Sequence, residues 1–508
     1  MDPGALNPGA FAVISRLVKL LKVFAIVLVV GVLTLVGVRL YDTQRGPSLE
    51  LWHTYVPKEL KRAEIEEADW ATYLEHEERV FADVRREVTD RLEPEAQDAA
   101  NRYYAGSPVY PGSFAYDWNR SYVLEPEGEA RGAAVFLHGL TDSPYSLRHL
   151  ARQYRDRGFV SVAIRIPAHG TVPGALTEVE WEDWLAATRL AVREARRRVG
   201  VGKPLHIVGF SNGGALAMKY ALDGLDEPGL PQADQLVLIS PMIGITAFAR
   251  FAGIAALPAF LPAFAKAAWL SLVPEFNPFK YNSFPVNGAR QASRLTRSLQ
   301  QQINARARAG TLEGLPPVLT FQSVVDFTVS TRAVISALYN QLPANGSELV
   351  LFDLNRSAQF GPLLARTAET RLTRLLPSPP RAFRTTIITN ATGNTGQMVE
   401  RVVDAGSTEE QVRSLSLAYP TDIFSLSHVA LPFPPSDALY GFAPDDAENF
   451  GVNLGTMASR GEVGVLIVNL DFLMRIASNP FFPYLSDRVM AGVPPAGLAE
   501  SPPAAGQP

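Results

Sequence analysis

Between Ala133 and Phe352 short runs of β-branched and apolar residues alternate with amphipathic stretches of helical period, and no other feature limits the possible folds as tightly. Ala133–Leu137 (AAVFL), Phe159–Ile164 (FVSVAI), Leu205–Val208 (LHIV), Gln235–Ile239 (QLVLI), Pro317–Phe321 and Glu348–Phe352 are expected to be buried strands. Tyr145–Arg157, Trp181–Arg198 and Gly213–Leu222 are expected to be helices. Strands that lack a polar face and are separated by helices imply a mostly parallel sheet covered on both sides, an α/β fold.

Inside this alternation lies Gly209-Phe210-Ser211-Asn212-Gly213, directly after LHIV and directly before a helix. A serine at the tip of so sharp a strand-to-helix turn needs neighbours with little or no side chain, and the glycines supply them. The plainer reading is a glycine turn whose serine caps a helix. The strand before and the helix after favour a nucleophile elbow with Ser211 at its tip. Upstream, AAVFL ends in His138-Gly139-Leu140-Thr141-Asp142, a tight loop able to aim an amide at the same point. The N–H groups of Leu140 and Asn212 are therefore the expected oxyanion donors.

Composition removes several competing chemistries. The chain has no cysteine, which excludes disulfides, thiolate nucleophiles and thiolate metal sites. A formal charge of −4 without a dense Lys/Arg block gives no footprint for nucleic acid. No HExxH, phosphate-loop or dinucleotide fingerprint occurs, so no metal or organic cofactor is expected.

The N-terminus carries a different signal. Val23–Val38 (VFAIVLVVGVLTLVGV) is uncharged, and Leu20, Leu21, Leu40 and Tyr41 extend it to about the length of a membrane-spanning helix. Arg16, Lys19 and Lys22 precede it against Asp2 alone, which favours a cytoplasmic N-terminus and an exported body. The following VRLYDTQRG lacks a small-residue cleavage site, so an uncleaved anchor is expected in preference to a signal peptide. In a bacterial cell such an anchor is expected to make this a single-pass inner (plasma) membrane protein with its body on the periplasmic side.

These signals divide the chain into a tail and anchor (1–45), an N-terminal helical segment (46–112), a first core part (113–241), a cap (242–314), a second core part (315–490) with an insertion near 355–416, and a disordered tail (491–508). Glu59–Leu92 is expected to form one long amphipathic helix packed on the body. The cap is apolar and aromatic, with Phe248, Phe251, Phe260, Phe264 and Trp269, as a lid over an acyl pocket would be. Arg250, Pro258, Pro262 and Lys266 interrupt it too often for a second membrane span.

At the two loops described above the chain resembles the α/β-hydrolase superfamily, most of all its carboxylesterase and monoglyceride-lipase branch. The resemblance runs from Tyr122 to the region of His428. Ile166-Pro167-Ala168-His169-Gly170-Thr171 and Trp181-Glu182-Asp183-Trp184 are similar to that branch's next loop and helix start. The resemblance implies a triad in the chain order serine, acid, histidine. Asp326, in Ser323-Val324-Val325-Asp326-Phe327, is similar to the branch's acid, with Asp353 as the alternative. Among the seven histidines only His428 follows the acid, in Leu426-Ser427-His428-Val429, which is similar to the family's histidine loop. The stretch from Asp353 to His428 is longer than the family's; the sequence does not reveal the role of this insertion, which could gate access or signal a different placement of the last strands and of the acid.

The resemblance implies hydrolysis of lipid-like acyl esters through an acyl-enzyme on Ser211, with His428 as general base and Asp326 as the orienting acid. Thioester or peptide cleavage and acyl transfer use the same triad. A non-catalytic membrane-tethered scaffold is the reading from a different class.

Overall fold

The six expected strands form, and they sit side by side. In the computed structural model, which describes residues 8–45, 47–244, 262–326, 328–357, 375–391, 396–421, 423, 425–445, 447–456 and 478–493, β1 (Tyr122–Leu124), β2 (Gly132–Leu137), β3 (Phe159–Ile164), β4 (Leu205–Phe210) and β5 (Gln235–Ile239) come first. A small pair, β6 (Trp269–Ser271) and β7 (Phe284–Pro285), belongs to the cap. Then follow β8 (Val318–Ser323), β9 (Glu348–Phe352), β10 (Arg384–Asn390), β11 (Gln397–Val403) and β12 (Glu410–Ala418). Among the described residues the main sheet has ten strands in the order β1-β3-β2-β4-β5-β8-β9-β10-β11-β12. It is parallel from β3 to β10 and antiparallel at both edges.

Alternation along each strand sends side chains to two separate cores. Val135, Val162, Ile207 and Leu238 join Trp184, Leu190, Leu216 and Leu295 on one face. Phe136, Val208, Val237 and Phe321 join Leu150, Tyr154, Leu485 and Val489 on the other. The helices Trp181–Val199, Asn212–Gly224 and Val286–Ala309 therefore cover one side, and Arg148–Asp156 and Phe482–Met490 cover the other.

The insertion near 355–416 is, where described, an extension of the sheet. β10 pairs in parallel with β9, and β11 and β12 continue as a meander. The chain then returns, because Asn355 Nδ2 donates to the carbonyls of Pro420 (2.9 Å) and Ile423 (2.8 Å), holding the segment that leads to His428 against the end of β9. Residues 358–374 lie outside the described set.

The N-terminal segment departs from expectation. Instead of one helix over Glu59–Leu92, there are Arg62–Glu67, Trp70–Glu87 and a 3₁₀ turn at Thr89–Arg91. The break falls at Asp69, whose side chain accepts from Thr72 N at 2.8 Å and starts the second helix afresh. This segment is fixed to the core by Arg165, whose guanidinium forks onto Glu59 at 2.8 and 2.9 Å and reaches Glu77 at 3.0 Å, all three nearly inaccessible to solvent.

Pro8–Arg45 is one continuous helix, with Leu20, Phe24 and Ile26 more than 60% exposed. Among the described residues no helix is long and apolar enough to cross a membrane. The side chains at 32, 35, 36, 39 and 40 lie outside that set. Within the cap, Phe248, Phe251, Phe260 and the side chain of Phe264 also lie outside it, whereas Trp269 is buried with its ring edge on His53, 4.9 Å between centroids.

Candidate active site

Ser211 stands between β4 and the helix Asn212–Gly224 with φ 53° and ψ −112°, a region that costs a residue with a side chain on the order of 1–3 kcal/mol. Hydrogen bonds from Ser211 N to Ile239 O (3.0 Å) and from Met242 N to Ser211 O (2.9 Å) hold it there. The glycines are a packing requirement. A Cβ on Gly213 would collide with the carbonyls of Leu137 and His138 at the end of β2, and one on Gly209 with the backbone of Gly213. The helix can start this close to the sheet only without those side chains.

Asp326 lies in the loop after β8 and His428 in a 3₁₀ turn, Ser427 preceding it, 102 residues later. His428 Nδ1 and Asp326 Oδ2 are 2.9 Å apart. The other carboxylate oxygen accepts from the amides of Thr328 (2.8 Å) and Val329 (2.9 Å), and Gln322 Nε2 donates to Oδ2 at 3.0 Å. Burial raises the Asp326 carboxyl, but the His428 imidazole, by charge and by hydrogen bond, and the two amides outweigh it, so the carboxyl lies below its ordinary value. An ionised Asp326 fixes the Nδ1–H tautomer of His428 and leaves Nε2 free to accept a proton. The imidazole lies over the ring of Phe210, 5.2 Å between centroids, next to Ser211 in sequence.

The alternative acid, Asp353, is engaged elsewhere, accepting from Thr389 Oγ1 at 2.9 Å and from Arg356 at 3.3 Å. The other histidines are occupied too: Ser283 contacts His53, Asp437 contacts His149 and Tyr154 contacts His206, while His76 meets the Lys58 carbonyl.

The loop bearing Leu140 is shaped by His138. Its Nε2 accepts from Ile166 N at 3.0 Å, which puts the proton on Nδ1, 2.9 Å from the carbonyl of Gly139. Burial, followed by the neighbouring His169, pushes this imidazole well below its ordinary value and keeps it neutral. Among the described residues no backbone carbonyl takes the amide of Leu140 or Asn212. The Asn212 side chain is fully buried, with both polar atoms unpartnered.

Sequence reasoning did not single out Gln322, Lys280 or Tyr281. Gln322 had a visible signal: a long amide in a strand otherwise apolar enough to be buried on both sides, and it is fully buried. Tyr281 binds two loops at once, its amide donating to Thr141 O (2.8 Å) and its hydroxyl accepting from Thr171 N (2.8 Å). Nothing in its sequence neighbourhood announces that. Among the described residues no group of three or more His, Asp or Glu could hold a metal ion. What remains is a serine on a strained turn, an oriented imidazole and two available amides, an arrangement suited to acyl transfer through a covalent intermediate.

Residues 128–354 match the family model described as serine aminopeptidase, S33. Over 87 residues the chain is 28% identical to a thermostable monoacylglycerol lipase of Bacillus sp. (strain H-257), an overlap of 17% of this chain and 34% of that protein. The chain thus spans about a third of the length of the curated relative it matches. Among solved structures, a soluble variant of monoglyceride lipase from Saccharomyces cerevisiae is 16% identical, covering 46% of this chain and 81% of that one at a TM-score of 0.36. Monoacylglycerol lipase from Paleococcus ferrophilus is likewise 16% identical, covering 50% of this chain and 98% of that one at 0.34.

Proposed function

We propose that this chain is a serine hydrolase of the α/β-hydrolase superfamily, similar to carboxylesterases and monoglyceride lipases, which hydrolyses lipid-like carboxylic esters at a membrane. His428 takes the Ser211 proton as the hydroxyl attacks the ester carbonyl, and the amides of Leu140 and Asn212 hold the tetrahedral oxyanion. His428 returns the proton to the leaving alcohol, and water then repeats the sequence on the acyl-enzyme. Asp326 holds the imidazole tautomer and stabilises its cation. The observation that carries this reading is the 2.9 Å contact of His428 with Asp326 on an imidazole lying over the ring of Phe210, the residue that precedes the strained Ser211 in sequence.

The helix Pro8–Arg45 is the proposed single-pass anchor. At 1.5 Å per residue its uncharged run and flanking apolar residues approach the roughly 30 Å of a bilayer core, and the basic residues before it favour a cytoplasmic N-terminus and an extracytoplasmic catalytic body. The helix lies alongside Pro262–Ala268 of the cap, which supports a lipid-derived substrate. The test is a p-nitrophenyl ester series from acetate to palmitate with the full chain in detergent, beside Ser211→Ala and His428→Ala. Wild-type turnover lost in both variants is the expected result. Turnover surviving in Ser211→Ala would sink the proposal.

The family description favours one other reading, cleavage of an N-terminal residue from a peptide by the same serine. Aminoacyl p-nitroanilides cleaved faster than every ester in the series would establish it.

A further inference from the structure

The loop that carries Leu140 also carries a carboxylate. Asp142 lies two residues from the proposed oxyanion donor, and its Oδ2 is packed so closely on Gly139 that a Cβ there would lie 2.5 Å from it. A negative charge at that place opposes the negative charge that develops on the carbonyl oxygen of the substrate in the transition state. The structure supplies a neutralising partner. Lys280 Nζ lies 2.7 Å from Asp142 Oδ1, with the two side chains 21% and 9% exposed, so solvent screens the pair only in part.

The same arm holds the loop by its backbone. Tyr281 N donates to Thr141 O at 2.8 Å, and Thr141, a β-branched residue, sits at φ 67°. Lys280 therefore reaches Asp142 from a stretch already fastened to the loop and needs little further ordering. Sequence distance hides the pair, since the two residues are 138 apart and belong to the first core part and the cap.

We infer that Lys280 is an electrostatic positioning residue for the oxyanion hole, cancelling the Asp142 carboxylate so that the Leu140 amide acts on the developing oxyanion in a neutral loop. This rests on the proposed role of the Ser211 site. A purely structural clamp and a charge-cancelling one predict opposite outcomes when both charges are removed together.

The test uses the full chain in detergent with a soluble p-nitrophenyl ester, comparing Lys280→Met, Asp142→Asn, the double variant, and Lys280→Arg, with Ser211→Ala as the control. Lys280→Met is expected to lower kcat by roughly 10- to 100-fold with KM little changed, the size of one uncompensated charge a few ångströms away at an intermediate dielectric. The double variant is expected to recover to within about threefold of wild type and Lys280→Arg to stay there, while Asp142→Asn, which leaves the Lys280 cation unopposed, is expected not to fall below wild type. A double variant as slow as Lys280→Met, or Lys280→Met at the wild-type rate, overturns the inference. If Lys280→Met does not fold, Asp142→Asn decides: a loss of tenfold or more in kcat overturns it. Failure of the underlying reading is distinct, because Ser211→Ala would then keep its activity whatever the Lys280 variants do.

Discussion

Each oxygen of Asp326 has a separate task. Oδ1 is fixed by two backbone amides, which leaves Oδ2 pointed at His428 and steadied by Gln322. Asparagine at this position can present an N–H to the imidazole and stabilise the wrong tautomer. Asp326→Asn is expected to lower kcat by about 10⁴-fold, as loss of an orienting acid does in serine proteases. Asp353→Asn, which alters only the contacts to Thr389 and Arg356, should leave kcat within a few-fold of wild type; steady-state kinetics on one ester distinguishes the two. A second carboxyl is informative through protons. Burial pushes Glu275 up to about 7 from 4.5, against the amides of Asn282 and Ser283 and the charge of Arg102. The folded value exceeds the unfolded one, so this group's contribution is fully present below about pH 4.5 and is lost as pH rises through about 7. At one pKa unit per 1.36 kcal/mol that amounts to about 3 kcal/mol. Thermal unfolding followed from pH 5 to 8 should show Glu275→Gln with a flatter decline than wild type; an identical slope would remove the group from the pH response.

Sequence legibility divided by element. The six core strands were readable because burial on both faces makes each an uninterrupted apolar run, and the elbow was readable because its glycines have no substitute at that spacing. The three added strands were not. β12 is exposed along most of its length and β11 alternates, so Glu410–Ala418 carries Glu, Gln, Arg and Ser where a buried strand would carry Val or Ile. The broken N-terminal helix was missed for another reason, since amphipathic spacing continues across Asp69 while a capping side chain interrupts the backbone. That segment is nonetheless bound to the core, by apolar burial of Ile65, Trp70, Tyr73, Val84 and Val88 and by a buried ion-pair network. Arg165→Met would strand two buried carboxylates, Glu59 and Glu77, and is expected to destabilise by about 3–5 kcal/mol. Denaturant unfolding checks this, with Arg165→Lys intermediate because an ammonium cannot reproduce the forked contact.

At the scale of the whole molecule, the proposed anchor and the body are expected to make separable contributions. The proposed site residues Ser211, Asp326 and His428 all belong to the body, so removal of residues 1–45 should leave kcat/KM for short soluble esters within about twofold while abolishing co-flotation with lipid vesicles. A truncated protein that still floats would place the membrane affinity elsewhere in the chain. The route of the polypeptide between acid and base has one more consequence. From Asp326 the chain completes β9, travels outward through β10, β11 and β12, and is brought back by Asn355 before His428 can meet its partner. Contacts of such long sequence separation form only after slower non-local closure, so the imidazole is expected to meet Asp326 late in folding. On the proposed assignment the serine turn, built from neighbouring strands, is therefore expected to form before its base arrives, so that ester turnover should be the last property to return on refolding.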